Sequence, residues 1–416
     1  MSSRLSNVDA LRGVAALWVF AYHLWNVFAP GYSPQGSPAD HKPFDADTPA
    51  GVVASYPFCA YGYTGVGLFF VLSGFCIHLP QARKHHTKGG DDLQPRPFFY
   101  RRLRRLYPAY FASLFLAVAG LLAMTATLDG AAQVPLAVVG VFVMVNALFL
   151  LAVRPDALSL NGVYWTLWYE VQFYLAYPLL LKLCRRVGFG GVAVGLLAVE
   201  LLFTFVPTPE ILKPIAPHFE WFFLRRYFEW FLGMWLAERV AKGVHLPRWV
   251  SLAVAVGGAA AGVASSHIPV LWAGHEFWLA VASAGVLSLL ASPASEPTPG
   301  TRLARGRGVL AWCGDWSYSL YLIHMPVLRL IFAGEAVLPV EWRLGGSFYV
   351  AGAVAVVVVP ATAWVWYRLF EKPFLPKPTA PPASTRPTQP ALTDTPLPVG
   401  GGVTGRPEPV TSPCRG

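Results

Sequence analysis

Long apolar segments recur along the whole chain, and this feature limits the possible folds more than any other. A membrane-spanning helix needs about 20 mostly apolar residues. We predict about eleven such spans, near residues 10–28, 64–80, 107–127, 134–153, 164–183, 189–206, 221–238, 249–265, 270–292, 309–332 and 347–370. Hydrophobic residues form 55% of the chain and charged residues 13%, against roughly 25% charged in soluble domains. The predicted fold is an all-α, polytopic transmembrane helix bundle of 10–11 spans, which excludes soluble, fibrous and disordered chains.

The distribution of positive charge predicts the orientation in the membrane. The loop 81–106 carries eight Lys and Arg residues against two Asp, whereas the loop 29–63 carries one Lys against three Asp. Since basic loops stay in the cytoplasm, loop 81–106 and the N-terminus are predicted inside.

Counting the predicted spans places the later basic clusters, at 182–186, 239–248 and 302–307, on the opposite side of the membrane from loop 81–106. We therefore expect one of the spans 107–127, 134–153 and 164–183 not to cross fully, and a re-entrant or tilted segment near 134–163 would restore the agreement. Six units of the net charge of +10 come from loop 81–106, and we interpret this concentration as topology and donor binding combined, with no nucleic-acid partner predicted.

The chain divides into two unequal parts. Residues 1–373 form the predicted membrane domain, and its first span is read as an uncleaved helix rather than a signal peptide. The segment 374–416 has eleven prolines with many Thr and Gly residues. Such a composition buries too little apolar surface to offset the entropy of ordering, which predicts a disordered cytoplasmic tail. The five cysteines are scattered and indicate neither a disulfide framework nor a metal site.

Two polar residues lie on one face of the first span. Arg12 and His23 are eleven residues apart, which places them within about 20° of each other and separates them by about 16 Å of helical rise. Asp9 lies one turn before Arg12 and can pair with it. We predict a tunnel that an anionic molecule enters from the cytoplasm, with His23 as a general base. The alternatives are a snorkelling anchor for Arg12 and a hydrogen-bonded structural histidine.

A second polar group is an arginine cluster at the start of a span. Arg101, Arg102, Arg104 and Arg105 lie within five positions, with aromatic residues on both sides. Guanidinium groups offer planar forks of donors that suit phosphate groups. The cluster therefore predicts a phosphate-binding surface, and a purely topological role is the alternative.

Two further spans carry polar side chains at helical spacing. Glu170 and Tyr174 share one face of the segment that begins at Trp165, and a carboxylate at this depth needs a partner or a function. The alternative for Glu170 is a structural ion pair. Ser317, Tyr321 and His324 share a face of a later span. We interpret this second face as a polar seam, for which interhelical hydrogen bonding is the simpler explanation.

Taken in order, these motifs resemble those of the integral-membrane acyltransferase family 3. That family includes bacterial O-acetylases of surface polysaccharides, nodulation-factor acetylases and macrolide acyltransferases. The resemblance runs from about Leu5 to Pro373. The matching runs are Asp9–Gly13 with the following His23, Gly65–Phe75 with Ser73, Arg101–Pro108, Trp165–Tyr174, Ser317–His324 and Glu371–Pro373.

The sequence departs from the family pattern at three positions. Ala10 stands where glycine is usual, and Thr166 replaces a common serine. Val171 stands where many members have a second glutamate, so Glu170 is the only acid there. The histidine and the arginine of the first span are retained. Beyond Pro373 we expect no additional esterase-like domain of the kind some relatives carry.

The resemblance implies an acyl-CoA-dependent O-acyltransferase in the cytoplasmic membrane of a bacterium. The expected donor is cytoplasmic acyl-CoA, foremost acetyl-CoA, with no permanently bound cofactor and no metal. The expected acceptor is a hydroxyl of a cell-surface polysaccharide or glycoconjugate, with a glycosylated small natural product as the alternative. The competing function is a transporter or flippase with a polar central cavity.

The resemblance also assigns roles to individual residues. His23 would deprotonate the acceptor hydroxyl, and Glu170 would orient or polarise His23 or hold the acceptor. The predicted donor-binding residues are Arg12, Arg101, Arg102, Arg104 and Arg105. The predicted accessory polar seam consists of Asp9, Ser73, Tyr174, Ser317, Tyr321 and His324.

Overall fold

The computed structural model describes most of the membrane domain. The described residues are 6–28, 61–89, 93–127, 135–148, 160–205, 226–268, 274–292, 300–338 and 347–376. Residues Ser3–Leu375 cluster into one compact unit. Almost all of the predicted tail, 374–416, lies outside the described residues, so its disorder stays a prediction.

All regular structure in the described part of the chain is helical, which confirms the all-α prediction. The helices are α1 (Ser6–Phe28), α2 (Gly65–Lys88), α3 (Pro95–Thr127), α4 (Leu136–Ala147), α5 (Trp165–Phe205), α6 (Tyr227–Ala241), α7 (Arg248–Ser266), α8 (His275–Leu290), α9 (Arg302–Asp315), α10 (Ser317–Ala336) and α11 (Ser347–Trp366). A 3₁₀ turn (Gly62–Thr64) precedes α2. A π turn (Tyr367–Glu371) and a second 3₁₀ turn (Lys372–Phe374) follow α11.

The outer surface of the bundle is apolar. Large side chains such as Leu136, Leu179 and Val357 are 83%, 70% and 68% exposed. By length and composition, four helical segments among the described residues can cross a bilayer: Gly62–Thr87, Pro95–Thr127, Arg248–Ser266 and Val350–Phe374. Since apolar side chains face outward in contact with lipid, these features identify a polytopic membrane protein.

Breaks in the helical backbone divide two of the apolar stretches, and one of these breaks was not predicted. The span predicted at 309–332 is divided at Trp316, whose backbone (φ −110°, ψ 15°) leaves the helical region between α9 and α10. Asp315 therefore ends one helix instead of lying inside a span. The spans predicted at 164–183 and 189–206 correspond to the two helical segments of α5, which meet at a kink where Gly188 adopts φ 79° and ψ 157°. That left-handed φ is available to glycine without steric cost.

The helix α4 bears on the topology of the middle of the chain. It has 12 residues and is about 18 Å long, whereas the hydrocarbon core of a bilayer is about 30 Å thick. Its described part is thus too short to cross. Residues 149–159 lie outside the described part of the chain, so the expectation that a segment in this region does not span fully stays a prediction.

Glycine contacts bring the helices around the site close together. A Cβ on Gly74 of α2 would lie 1.9 Å from the carbonyl oxygen of Trp230 in α6, and one on Gly233 would lie 1.8 Å from that of Val71. In the same way, a Cβ on Gly314 of α9 would lie 1.9 Å from the carbonyl oxygen of Asp9 in α1. Small residues allow such close backbone approach between membrane helices.

Aromatic rings fill the interior between α5 and α6. Trp230 is fully buried and stacks on Tyr227 with ring centroids 5.6 Å apart. Its other ring neighbours are Phe173 and Tyr177, at 5.9 and 5.8 Å. The Nε1 atom of Trp230 donates to Ser73 Oγ at 3.3 Å, so this rigid cluster supports one wall of the site described next.

Candidate active site

A cavity of about 880 Å³, counted with the space at its mouth, lies between the central helices. Helices α1, α2, α3, α5 and α10 all contribute to its walls. The polar side chains that line it are Arg12, Ser73, Cys76, Arg102, Arg105, Thr166, Glu170, Tyr174, Ser317, Tyr318 and Tyr321. Residues more than 300 positions apart in the sequence therefore meet at one site.

Three guanidinium groups face this cavity. Arg12 comes from α1, whereas Arg102 and Arg105 come from one face of α3. The Nε atoms of Arg102 and Arg105 are buried and have no hydrogen-bond partner among the described residues. The three arginines together give the cavity a cationic wall with donors available to an anionic ligand.

The other two arginines of the cluster lie elsewhere. Arg101 and Arg104 are exposed and do not line the cavity. The reason is helical geometry, since residues three apart share a face while adjacent residues differ by about 100°. The five residues predicted to bind the donor thus separate into three that line the cavity and two that face outward.

Arg12 is held at the junction between α9 and α10. Its Nη2 atom donates to Ser317 Oγ at 3.3 Å, and its Nη1 atom lies 3.9 Å from a carboxylate oxygen of Asp9. The pairing of Asp9 with Arg12 agrees with the prediction. Ser317 Oγ also donates to the carbonyl oxygen of Gly314 at 2.9 Å, which fixes the hydroxyl against the helix junction.

Glu170 is bound by two hydroxyl groups in the cavity wall. Ser73 Oγ donates to its Oε1 atom at 3.2 Å, and the Tyr174 hydroxyl donates to the same oxygen. These bonds connect Ser73, Glu170 and Tyr174 of the predicted seam. The structure does not bring Glu170 to His23, because neither residue is a hydrogen-bond, ion-pair or ring partner of the other.

Glu371 is a buried acid to which the sequence reasoning assigned no role. Its side chain is 0% exposed and accepts a hydrogen bond from Ser319 Oγ at 2.7 Å. The charges of Arg105 and Arg12 act on it, and its Oε1 atom has no hydrogen-bond partner among the described residues. The only sequence signal was its place in the closing Glu371–Pro373 motif. Cys76 and Tyr318 were also missed, although both line the cavity.

His23 lies beyond the cavity, against His324 of α10. The Nδ1 atom of His23 is 2.9 Å from the carbonyl oxygen of Val19 and 3.3 Å from Nε2 of His324. The Nδ1 atom of His324 is 3.0 Å from the carbonyl oxygen of Leu320. The two ring centroids are 4.9 Å apart. The predicted base and one member of the polar seam thus form an imidazole pair.

Tyr321 lies between the cavity and the imidazole pair. Its hydroxyl accepts from Thr166 Oγ at 2.7 Å and donates to the carbonyl oxygen of Val163 at 3.0 Å. Its ring lines the cavity and lies 5.7 Å from the ring of His324. The face predicted for Ser317, Tyr321 and His324 therefore runs from the cationic wall to the imidazole pair.

The described residues show no cluster of three or more His, Cys, Asp or Glu side chains arranged to hold a metal ion. The chemistry that the site can perform with its own groups is anion binding by Arg12, Arg102 and Arg105 and proton transfer by an imidazole.

A protein-family model described as "Acyltransferase domain" matches residues 5–365. The chain is 25% identical over 378 residues to "Acyltransferase MdmB" from Streptomyces mycarofaciens, covering 86% of this chain and 88% of that protein. It is 25% identical over 402 residues to "Nodulation protein 10" from Rhizobium leguminosarum bv. viciae, covering 89% and 94%.

A third relative is longer than this chain. "Peptidoglycan O-acetyltransferase OatA" from Listeria monocytogenes is 25% identical over 361 residues, which cover 78% of this chain and 49% of that protein. The chain therefore matches about half the length of that relative. No solved structure matches the chain.

Proposed function

The chain belongs to the acyltransferase family defined by this domain and is a bacterial membrane enzyme that transfers acyl groups. From this premise we propose that the enzyme moves an acetyl group from cytoplasmic acetyl-CoA to a hydroxyl of a sugar-containing acceptor. The observation that carries the proposal is that three arginines line a cavity whose wall includes Tyr321, and that the Tyr321 ring contacts His324, the partner of His23. Family membership favours this function over the transporter alternative.

The donor fits the cationic wall of the cavity. Coenzyme A carries several phosphate charges, and the Nε donors of Arg102 and Arg105 have no partner among the described residues. Bidentate guanidinium–phosphate pairs are among the strong charge-assisted hydrogen bonds. In this proposal Arg12, Arg102 and Arg105 hold the phosphate groups, and the thioester end of the donor extends past Tyr321 toward His23.

His23 is the general base of the proposed reaction. Its Nδ1 atom is occupied by Val19 and His324, whereas its Nε2 atom has no hydrogen-bond or ion-pair partner in the described part of the chain. Nε2 accepts the proton of the acceptor hydroxyl as that oxygen attacks the thioester carbonyl carbon. The carbon–sulfur bond then breaks, and the imidazolium returns the proton to the departing thiolate.

The acceptor and the orientation follow from separate arguments. One relative is named for O-acetyl transfer to peptidoglycan, a polymer that contains sugars, which supports a saccharide hydroxyl as acceptor. A cell-surface polysaccharide or glycoconjugate is our first choice, and a glycosylated natural product is the alternative. The basic loop 81–106 favours the cytoplasmic membrane, with the N- and C-termini in the cytoplasm.

The test uses purified full-length protein in lipid nanodiscs with acetyl-labelled acetyl-CoA and a panel of oligosaccharides and glycosylated small molecules. We expect labelled ester on at least one acceptor and release of free CoA. The His23→Ala variant should lose about 100-fold or more in kcat, because general-base catalysis contributes roughly that factor. Equal transfer by wild type and His23→Ala would remove His23 from the mechanism. Absence of both transfer and CoA release would contradict acetyl-CoA as donor.

A further inference from the structure

The hydrogen bonds around the imidazole pair fix the positions of the ring protons. A carbonyl oxygen can only accept a hydrogen bond. The Nδ1 atoms of His23 and His324 each face such an oxygen, from Val19 and Leu320. Both neutral rings therefore carry their proton on Nδ1, and Nε2 of each ring has a lone pair. It follows that His23 Nδ1–H also points at the lone pair of His324 Nε2, 3.3 Å away.

We propose that His324 is a positioning residue that holds His23 as the Nδ1-protonated tautomer and accepts a hydrogen bond from its Nδ1–H during proton transfer. This inference rests on the proposed role of His23 as general base. It assigns to a neutral imidazole the function that a carboxylate has in a Ser-His-Asp triad, which is to orient the base and to stabilise its charged form.

The surroundings of His324 suit this role. The side chain is 1% exposed, so solvent does not compete for its Nε2 atom. Its Nδ1–H is bound to the carbonyl oxygen one turn earlier in α10, and the ring lies 5.7 Å from that of Tyr321. Because the His324 ring is held on two sides, it has a fixed orientation, and a fixed orientation is what a residue needs in order to position His23.

The charge balance of the step explains the use of a neutral partner. When His23 Nε2 accepts the acceptor proton, the ring becomes a cation, and its Nδ1–H bond to His324 becomes charge-assisted and stronger. A neutral acceptor stabilises the imidazolium less than a carboxylate would, so the proton passes on more readily to the thiolate leaving group.

The experiment compares two substitutions of His324 in full-length protein in nanodiscs. His324→Phe keeps a flat ring of similar size but has no acceptor, whereas the amide oxygen of His324→Gln can replace Nε2. For His324→Phe we expect kcat to fall about 10- to 100-fold, a part of the general-base contribution, with KM for acetyl-CoA changed less than twofold. His324→Gln should recover at least part of the lost kcat.

The matched control is His275→Phe. His275 is also a buried histidine of a helix and makes a ring contact with Tyr63, but it makes none with His23. Wild-type kcat in His324→Phe would overturn the positioning role while leaving acyl transfer intact. If His324→Phe and His275→Phe lower kcat and change KM to the same extent, and His324→Gln recovers no kcat, then His324 is only a packing residue. If instead wild type and His23→Ala transfer equally, the base itself is wrong and the inference fails with it.

A second measurement needs no substitution at His324 and no turnover. Nitrogen-15 shifts of labelled wild-type histidines, assigned by comparison with His23→Ala, report which ring nitrogen carries the proton. We expect His23 to be protonated on Nδ1 and bare on Nε2. A His23 ring protonated on Nε2 would overturn the proposal even if the His324→Phe variant failed to insert into the membrane.

Discussion

The guanidinium of Arg12 lies 3.3 Å from the hydroxyl of Ser317, and this contact joins the first and the tenth helices at the cavity. Eleven residues further along α1, His23 meets His324 of the same partner helix at 3.3 Å. The two contacts fix α1 against α10 at two levels. The cationic wall and the imidazole pair are thereby held about 16 Å apart in helical rise along α1, a separation that an extended thioester arm must bridge.

The arginine cluster provides a charge-matched test of donor binding. Replacing Arg102 and Arg105 together with Ala should raise KM for acetyl-CoA at least tenfold, because hydrogen bonds to charged groups contribute about 1.5–3 kcal/mol each. Replacing Arg101 and Arg104 removes the same charge from the exposed face of α3 and should change KM less than threefold. Steady-state kinetics with varied donor measures both. Similar increases in the two double variants would assign the cluster a general electrostatic or topological role.

Cys76 gives a test of donor occupancy that does not depend on the acceptor. It is a free, exposed cysteine that lines the cavity with Arg12, Arg102 and Arg105. In a variant that retains only this cysteine, labelling by a maleimide should slow at least fivefold in saturating acetyl-CoA. A small acetyl thioester without phosphate groups should not protect it, since the arginines bind the phosphates. Unchanged labelling in acetyl-CoA would place the donor outside this cavity.

The bonds to Glu170 should contribute to stability as well as to the shape of the cavity. In Tyr174→Phe the half-buried carboxylate of Glu170 loses one of its two hydroxyl donors, which should destabilise the protein by about 1–3 kcal/mol because hydrogen bonds to charged groups contribute roughly that much. In the Glu170→Gln background the same change should cost less. Thermal unfolding in detergent, analysed as a double-mutant cycle, measures the difference. Additive effects would mean that this bond contributes nothing measurable.

The glycine contacts predict where added volume is tolerated. Gly233→Ala and Gly74→Ala would place a methyl group under 2 Å from a backbone carbonyl oxygen of the facing helix, so α2 and α6 must separate. Overpacking of this kind costs about 1–3 kcal/mol and should lower both Tm and activity. Gly257→Ala is the control, since its Cβ meets nothing within 4 Å. If all three variants unfold at the wild-type temperature, the close approach of α2 and α6 is not required.

The class of fold could be predicted from sequence because it depends on local composition. Recurring apolar segments indicated helices, and the shared face of Arg12 and His23 followed from the helical repeat alone. The shared face of Ser317, Tyr321 and His324 followed in the same way. The break at Trp316 could not be predicted, because residues 309–332 are apolar enough overall to resemble one span, and nothing in their spacing signals the change in backbone conformation.

The site was only partly accessible to the same reasoning. The sequence placed four arginines in one cluster, but which of them face a cavity depends on where the neighbouring helices lie around α3. The expected link from Glu170 to His23 was an inference from residue type. In the structure Glu170 is hydrogen-bonded to Ser73 and Tyr174 instead, and His23 is paired with His324. Glu371 belongs to the closing Glu371–Pro373 motif, yet its burial beside Ser319 depends on how the π turn after α11 packs against α10.

The sequence by itself determined that this is a helical membrane protein with polar faces on α1, α3, α5 and α10, because apolar length and helical period are properties of the chain alone. The tertiary structure decided which polar faces meet. Arg12, Arg102 and Arg105 share a cavity, and two histidines 301 positions apart form a pair. Such contacts depend on how the helices pack, and in this bundle close approach is set by glycines whose partners lie far away in the sequence.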